Sequence, residues 1–324
     1  MLLKQLRWVR VLLGSRCFCK KNIDVLKLFR NTTPFWLEDK PFNIRLNMKE
    51  FEIEIVDHCN LNCKSCDHFS SLAQEKFLSE ETFNNDIKRM SELFPNIEIL
   101  TLTGGEPLLH PNINYFFETS RYYYPNAEIR LFTNCILLDK MSQEFWECCS
   151  SNNITIEYTY YPLNIDREKY LSLCEEYNVR IIRPDWVVNK EEFIKEQYRF
   201  PLNDKKNKDI NENYNKCFKT KCTTLKNGKI YMCTYCANIS HFNNFFNKNL
   251  EVTSEDYIDI YTHTSEEIDE FLIGAKPFCG YCNIDNISRY GEWEESNPII
   301  SEYKISEWFD EEKQTDDPNG ESEN

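Results

Sequence analysis

Residues 52–69 read EIEIVDHCNLNCKSCDHF. The opening EIEIV predicts a strand over 52–56. Three cysteines follow it at once, Cys59, Cys63 and Cys66, in a C-x3-C-x2-C spacing. Soft thiolates so close together can converge on one soft metal centre, and both an iron-sulfur cube and a zinc ion suit them. In a cube, three protein ligands leave one iron open, where a small molecule can bind directly and receive an electron.

Outward from this stretch, short apolar strands alternate with helical segments. A helix is predicted over 80–94 behind a Ser79 cap, followed by a strand in IEILTLTG around 97–103. INYFFETSRYYY then reads as helix, EIRLFTN as strand, LLDKMSQEFWECC as helix, NITIEYTY as strand and DREKYLSLCEEYN as helix, with a last strand at 179–183. This βα repeat predicts a parallel sheet covered by helices, and periodicity alone also admits an open Rossmann-like sheet. TLTGGEPLLHP places Gly104, Gly105, Glu106 and Pro107 directly after the second strand.

The cysteine motif and the GGEP motif, in this order and both at strand ends, resemble the radical S-adenosylmethionine (radical SAM) enzyme family over residues 51–183. The resemblance implies an α/β fold of the partial (β/α) barrel type, with the site at the carboxyl ends of the strands. It implies that Cys59, Cys63 and Cys66 hold a [4Fe-4S] cluster. When reduced, by a donor such as flavodoxin or ferredoxin, that cluster cleaves S-adenosyl-L-methionine to methionine and a deoxyadenosyl radical, which abstracts a substrate hydrogen. The GGEP region would lie against the methionyl part, Gly104 and Gly105 allowing close approach beside Pro107 and Glu106 helping to hold the ammonium. Glu106 also has a loop-stabilising reading. The family often has an aromatic residue before the third ligand, where this chain has Ser65. His68 and Phe69 are the candidates to compensate in the adenine contact, and each has an ordinary packing reading too.

A second set of cysteines lies further on: Cys217, Cys222, Cys233 and Cys236, then Cys279 and Cys282 in PFCGYC. The run from Cys217 through Gly228 to Cys233, with Cys279 and Cys282 after a long gap, resembles the twitch domain, the shortened relative of the SPASM extension. That resemblance implies one auxiliary [4Fe-4S] cluster on Cys217, Cys233, Cys279 and Cys282. A zinc knuckle is the competitor, with Cys222 and Cys236 as alternate ligands; these two also read as buried thiols or redox-active residues. KNGK, around Gly228, is a hairpin signal. Cys148, Cys149 and Cys174 fall in helical patterns and read as core, and Cys17 and Cys19 carry no recognisable metal pattern.

The expected organisation is a basic N-terminal extension over 1–50 with a candidate amphipathic helix, a radical SAM partial barrel with its connecting segment over 51–216, a twitch-like cluster domain over 217–310 and a disordered acidic tail over 311–324. The 15 cysteines, uneven in spacing, fit metal ligation in a reducing cytoplasm better than a secreted disulfide framework. With 38 Lys and Arg against 53 Asp and Glu, the formal charge is -15, which argues against a nucleic-acid-binding protein. Residues 1–30 run the other way, with eight basic residues and one acidic. This segment reads as a helix packed on the main domain or as a peripheral membrane contact. Neither a cleavable signal peptide nor an apolar run of spanning length is expected.

The resemblance divides the reaction choices. The first is oxidation or epimerisation of a sugar, cyclitol or nucleotide-linked sugar. The alternative is radical modification of a peptide or protein side chain, and a noncatalytic iron-sulfur carrier is a third class. Cys135, after the third strand, is a candidate hydrogen-atom donor, with core packing as the competing reading. His68 is a candidate base. Tyr158, Tyr160 and Arg183, at the ends of the fourth and fifth strands, are candidate substrate contacts, with strand-end packing and salt bridging as the competing readings.

Overall fold

The computed structural model describes residues 48–159, 161–182, 196–204, 209–217, 219 and 222–311. The candidate N-terminal helix, Tyr160, Arg183 and the tail beyond 311 lie outside the described residues. The first strand, β1 (Glu50–Val56), leads into a βα alternation: α1 (Glu80–Leu93), β2 (Ile99–Gly104), α2 (Ile113–Tyr123), β3 (Glu128–Thr133), α3 (Gln143–Ser151), β4 (Ile154–Tyr158), α4 (Arg167–Glu176) and β5 (Arg180–Ile182). Each strand pairs parallel with the next, from β1 to β5. This is the predicted α/β arrangement of parallel strands covered by helices.

Local chemistry sets these elements. The Ser79 hydroxyl accepts the Thr82 N–H at 3.1 Å and starts α1, and Phe83, Ile87 and Met90 fall on the buried stripe of that helix. Strand parity gives the sheet two unlike faces. Phe51, Ile53, Ile55, Leu100, Leu102, Ile129, Leu131 and Ile156 are at most 1% exposed and join the helices in the main core. Their neighbours in sequence form the other face, where register aligns Glu52 with Thr101, Thr101 with Arg130 and Arg130 with Thr155, and Glu54 with Thr103.

The sheet does not end at the expected 216/217 boundary. After β6 (Glu196–Arg199) and α5 (Ile210–Lys216), β7 (Thr224–Lys226) pairs parallel with β1, while β8 (Lys229–Tyr231) and β9 (Ile258–Asp259) extend the same sheet antiparallel. The sheet order is therefore β5-β4-β3-β2-β1-β7-β8-β9. α6 (Thr234–Phe246) and α7 (Ser265–Phe271) follow their strands, and β10 (Ser288–Glu292) pairs antiparallel with β6. A second core, around Phe69, Tyr235, Phe242, Trp308 and Phe309, joins the first cysteine loop to the C-terminal region.

The expected hairpin between β7 and β8 is present. Asn227 and Gly228 both have positive φ, 50° and 71°, as a two-residue I′ turn requires. The Gly228 N–H donates to the Asp86 carboxylate at 2.9 Å, and a Cβ there would lie 2.8 Å from the Tyr261 ring. Gly228→Ala should therefore cost about 1–2 kcal/mol, read as a lower urea midpoint at unchanged slope; an unchanged midpoint would refute the turn's role.

Candidate functional site

The carboxyl ends of β1 and β2 meet backbone to backbone. The Gly105 N–H donates to the Val56 carbonyl at 2.7 Å and the Glu106 N–H to the His58 carbonyl at 3.1 Å. A Cβ on Gly104, whose φ is 134°, would sit 2.2 Å from the Val56 oxygen, and one on Gly105 would sit 1.9 Å from the His58 oxygen. The need for glycine at both positions thus comes from the chain leading into Cys59, where the sequence pointed to a cofactor.

Glu106 is fully buried. One carboxylate oxygen accepts from the Leu108 N–H at 3.0 Å and the Thr133 hydroxyl at 2.7 Å, the other from the Asn134 N–H at 2.9 Å. Burial pushes its pKa up to about 7 against the lowering effect of these three donors. The side chain ties the GGEP turn to the end of β3, so the loop-stabilising role is realised. Pro107 opens the short 3-10 turn Pro107–Leu109 and is itself buried.

Cys59, Cys63 and Cys66 sit together in the loop after β1. They share a small apolar cluster with Leu61, Tyr161 and Trp293, and the charges of all three act on the Tyr161 phenol. The Leu61 N–H points at the Cys59 sulfur at 3.4 Å and the Asn134 amide nitrogen lies 3.8 Å from it. Burial, then Glu106 and the two neighbouring thiols, raises the Cys59 pKa well above its usual value. Burial followed by Asp67 and Cys63 carries Cys66 to about 12. Buried thiols that repel each other's negative charge become thiolates when a cationic centre shares their space. This donor set, with N–H groups aimed at sulfur, fits an iron-sulfur cluster.

Several expected roles are corrected by geometry. Phe69 has no exposed surface and a φ of 53°, and it packs edge-on to Tyr235 with centroids 4.9 Å apart. It has no face left for an adenine. His68 places Nδ1 3.2 Å from Asp67 and Nε2 3.7 Å from Glu54. Burial opposes its charge, but Asp67, Glu54 and Glu52 outweigh burial and lift its pKa to about 9, a direction that counts against a role as base. Cys135 is 2% exposed, sits at φ 67° and belongs to the helix-side core with Tyr170 and Cys174. Its thiol is packed there, away from the polar face. Tyr158 shares the face of Ile154 and Ile156 and packs on the same core; its neighbour Glu157 is the residue on the polar face.

In the second cysteine set, the charges of Cys233, Cys217 and Cys279 all act on Cys282, whose pKa is driven up first by burial. Burial and Cys217 carry Cys233 to about 12. The Asn213 side-chain amide donates to the carbonyls of both Cys279 and Cys282 at 2.8 Å, fixing that turn. Cys222 lies in the turn before β7, where its carbonyl accepts from the Thr224 hydroxyl at 3.3 Å. Cys236 lies in the second core with its sulfur 4.0 Å from the Asp256 carbonyl, the setting of a packed thiol. Lys219 links the two cysteine regions. Its backbone N–H reaches the Cys217 sulfur at 3.4 Å, while its ammonium pairs with Asp67, next to Cys66.

The polar face of the sheet was missed from sequence, although its signal was present in the alternate Glu and Thr residues of the strands. Lys226 pairs there with Glu54 at 2.8 Å and Asp57 at 2.9 Å. Burial disfavours its charge, and the two carboxylates outweigh burial and raise its pKa. Further along the same face Arg130 pairs with Glu157 at 2.9 Å and Glu128 at 3.0 Å.

The three clustered thiols thus lie at the end of β1, in a sheet whose strands β1 to β5 are parallel. Residues 53–183 match the Radical SAM superfamily, and the chain carries a radical SAM domain. Among curated proteins it is similar to the GTP 3',8-cyclase of Aliarcobacter butzleri, 30% identical over 95 residues, covering 28% of this chain and 29% of that protein. It is also similar to the GTP 3',8-cyclase of Staphylococcus aureus, 24% identical over 178 residues, covering 47% of this chain and 52% of that protein. The match to the first of these thus spans under a third of its length. Among solved structures, BtrN in complex with AdoMet and 2-DOIA is similar at 13% identity and a TM-score of 0.42, covering 73% of this chain and 93% of that one. Native anSMEcpe with bound AdoMet is similar at 14% identity and a TM-score of 0.44, covering 68% and 80%.

Proposed function

We propose that this chain is a radical SAM enzyme that abstracts a hydrogen atom from a polyhydroxylated substrate, a sugar, cyclitol or nucleotide-linked sugar, and oxidises or epimerises it. The observation that carries this reading is the union of Cys59, Cys63 and Cys66 with the GGEP turn, which is hydrogen-bonded onto the backbone that delivers Cys59. When bound, a [4Fe-4S] cluster on these cysteines supplies the electron that cleaves S-adenosyl-L-methionine into methionine and a deoxyadenosyl radical. The chain's part is to bind, orient and keep water away. Glu106, buried and held by three donors at the end of β3, fixes the GGEP turn beside the cysteine loop. A donor such as flavodoxin or ferredoxin supplies the reductant, and Cys217, Cys233, Cys279 and Cys282 would hold a second cluster, which would supply an electron acceptor for a net oxidation.

The substrate class is supported by the polar sheet face. Glu54 with Lys226 and Arg130 with Glu157 form mutually paired groups along this face, both carboxylates buried, a polar lining that suits hydroxyl groups better than an apolar side chain where a pair exchanges a partner. Anaerobically reconstituted chain should form deoxyadenosine with a panel of sugars and nucleotide-linked sugars, with deuterium passing from labelled substrate into deoxyadenosine by mass spectrometry. Turnover with peptides alone would replace this substrate class, and no deoxyadenosine with any substrate after full cluster loading would overturn the enzyme reading.

A further inference from the structure

Ser65, where the family pattern favours an aromatic residue, is 6% exposed and has a φ of 53°. The Ser65 hydroxyl lies 3.3 Å from the Tyr290 hydroxyl and donates to the Glu307 carbonyl. One residue further on, the Trp308 indole N–H donates to the Cys66 carbonyl at 3.0 Å. Backbone bonds support these contacts: Lys64 N–H to the Glu294 carbonyl at 3.1 Å and Ser296 N–H to the Asn62 carbonyl at 2.7 Å, bracketing a bridge between Cys63 and Glu295. A segment more than 200 residues away in sequence, 290–308, is thus laid along the whole first cysteine loop.

The same segment reaches the second cysteine set. The Leu202 N–H donates to the Trp308 carbonyl at 2.8 Å, and Leu202 bridges Cys282 on its other side. Trp308, with no exposed surface, therefore has its side chain on the carbonyl of one candidate ligand and its backbone one strand away from another.

We propose that Trp308, with Ser65 as its counterpart, is a positioning residue for the first cysteine loop, and that residues 290–308 form a strap that holds Cys63 and Cys66 in place for metal. This rests on the reading of Cys59, Cys63 and Cys66 as cluster ligands. The indole N–H fixes the plane of the peptide after Cys66, and with it the direction in which the Cys66 Cα–Cβ bond points. The Ser65 hydroxyl fixes the peptide on the other side. Together they hold a short loop with a positive-φ residue at its centre in a shape its own sequence does not favour.

The test uses the full chain, reconstituted anaerobically with iron and sulfide, as wild type, Trp308→Phe and Ser65→Ala. Trp308→Phe keeps a ring in the core and loses the N–H; Ser65→Ala leaves that core intact and covers the case in which the first variant folds poorly. Hydrogen exchange at the amides of Lys64, Cys66 and Phe69 should speed up about tenfold in each variant, the effect of losing one buried hydrogen bond. Iron should also pass to a chelator several-fold faster, and the electron paramagnetic resonance spectrum of the reduced chain should lose its response to S-adenosyl-L-methionine. Unchanged exchange at these amides in both variants overturns the strap. A wild type that takes no iron at the first loop overturns the functional reading instead, and the exchange data still decide whether the strap holds the loop.

Discussion

Cys63→Ala should give a folded chain that still takes iron at the C-terminal cysteine set and forms no detectable deoxyadenosine. Cys63 is 8% exposed and packs with Leu61, Tyr161 and Trp293. Removing one sulfur from such a small cluster costs about 1 kcal/mol of folding stability, far too little to unfold a chain of this size. The effect on metal is of another order, because Cys59 and Cys66 alone leave an iron-sulfur cube with two protein thiolates where three are needed to leave a single open iron. Iron should fall by about four per chain relative to wild type. Cys279→Ala should show the reverse pattern, with the first site loaded and the second depleted. If Cys63→Ala cleaved S-adenosyl-L-methionine at the wild-type rate, the ligand assignment would be wrong.

Much of this was legible in the sequence because its signals are local. The βα alternation follows from short apolar runs and a Ser79 cap, and the cysteine spacing and the GGEP motif each sit within a dozen residues. The hairpin at Asn227 and Gly228 needed only two residues to be read. What failed was direction. Apolar runs mark strands without fixing which residues face which side, so the sequence points to Tyr158, on the helix side, rather than to Glu157, one residue earlier, on the polar face. Cys135 follows β3 just where a hydrogen donor was sought, but its positive φ turns it into the core with Cys174. Phe69 was placed near the cofactor by sequence distance alone, whereas Tyr235 and Phe242 claim its ring. The strap was beyond reach, since nothing in residues 290–308 announces pairing with residues 62–66; only the tertiary fold brings the Trp308 indole to the Cys66 carbonyl.

Gly105→Ala should be the most damaging substitution outside the cysteines, and it acts without touching a ligand. The added methyl would lie 1.9 Å from the His58 oxygen, 2.3 Å from the His58 carbonyl carbon and 2.9 Å from the Cys59 nitrogen. All three are backbone atoms, so no side chain can rotate away, and the chain entering Cys59 must itself move. That movement breaks the Gly105-to-Val56 and Glu106-to-His58 hydrogen bonds and pulls Glu106 off its three donors at the end of β3. The combined cost is about 3 kcal/mol or more, roughly a 6–12 °C drop in melting temperature. Iron at the first cysteine set should fall with it, while the second set, built on other elements, should load normally. Gly274→Ala is the control for a substitution without a clash, since Gly274 has a positive φ, 84°, which Gly105 does not share, and a methyl there meets nothing within 4 Å. It should lose only the backbone term, about 1 kcal/mol, with both sites loaded. A Gly105→Ala chain that melts with wild type and holds its full iron would show that the contact between the GGEP turn and the cysteine loop is not what shapes the site.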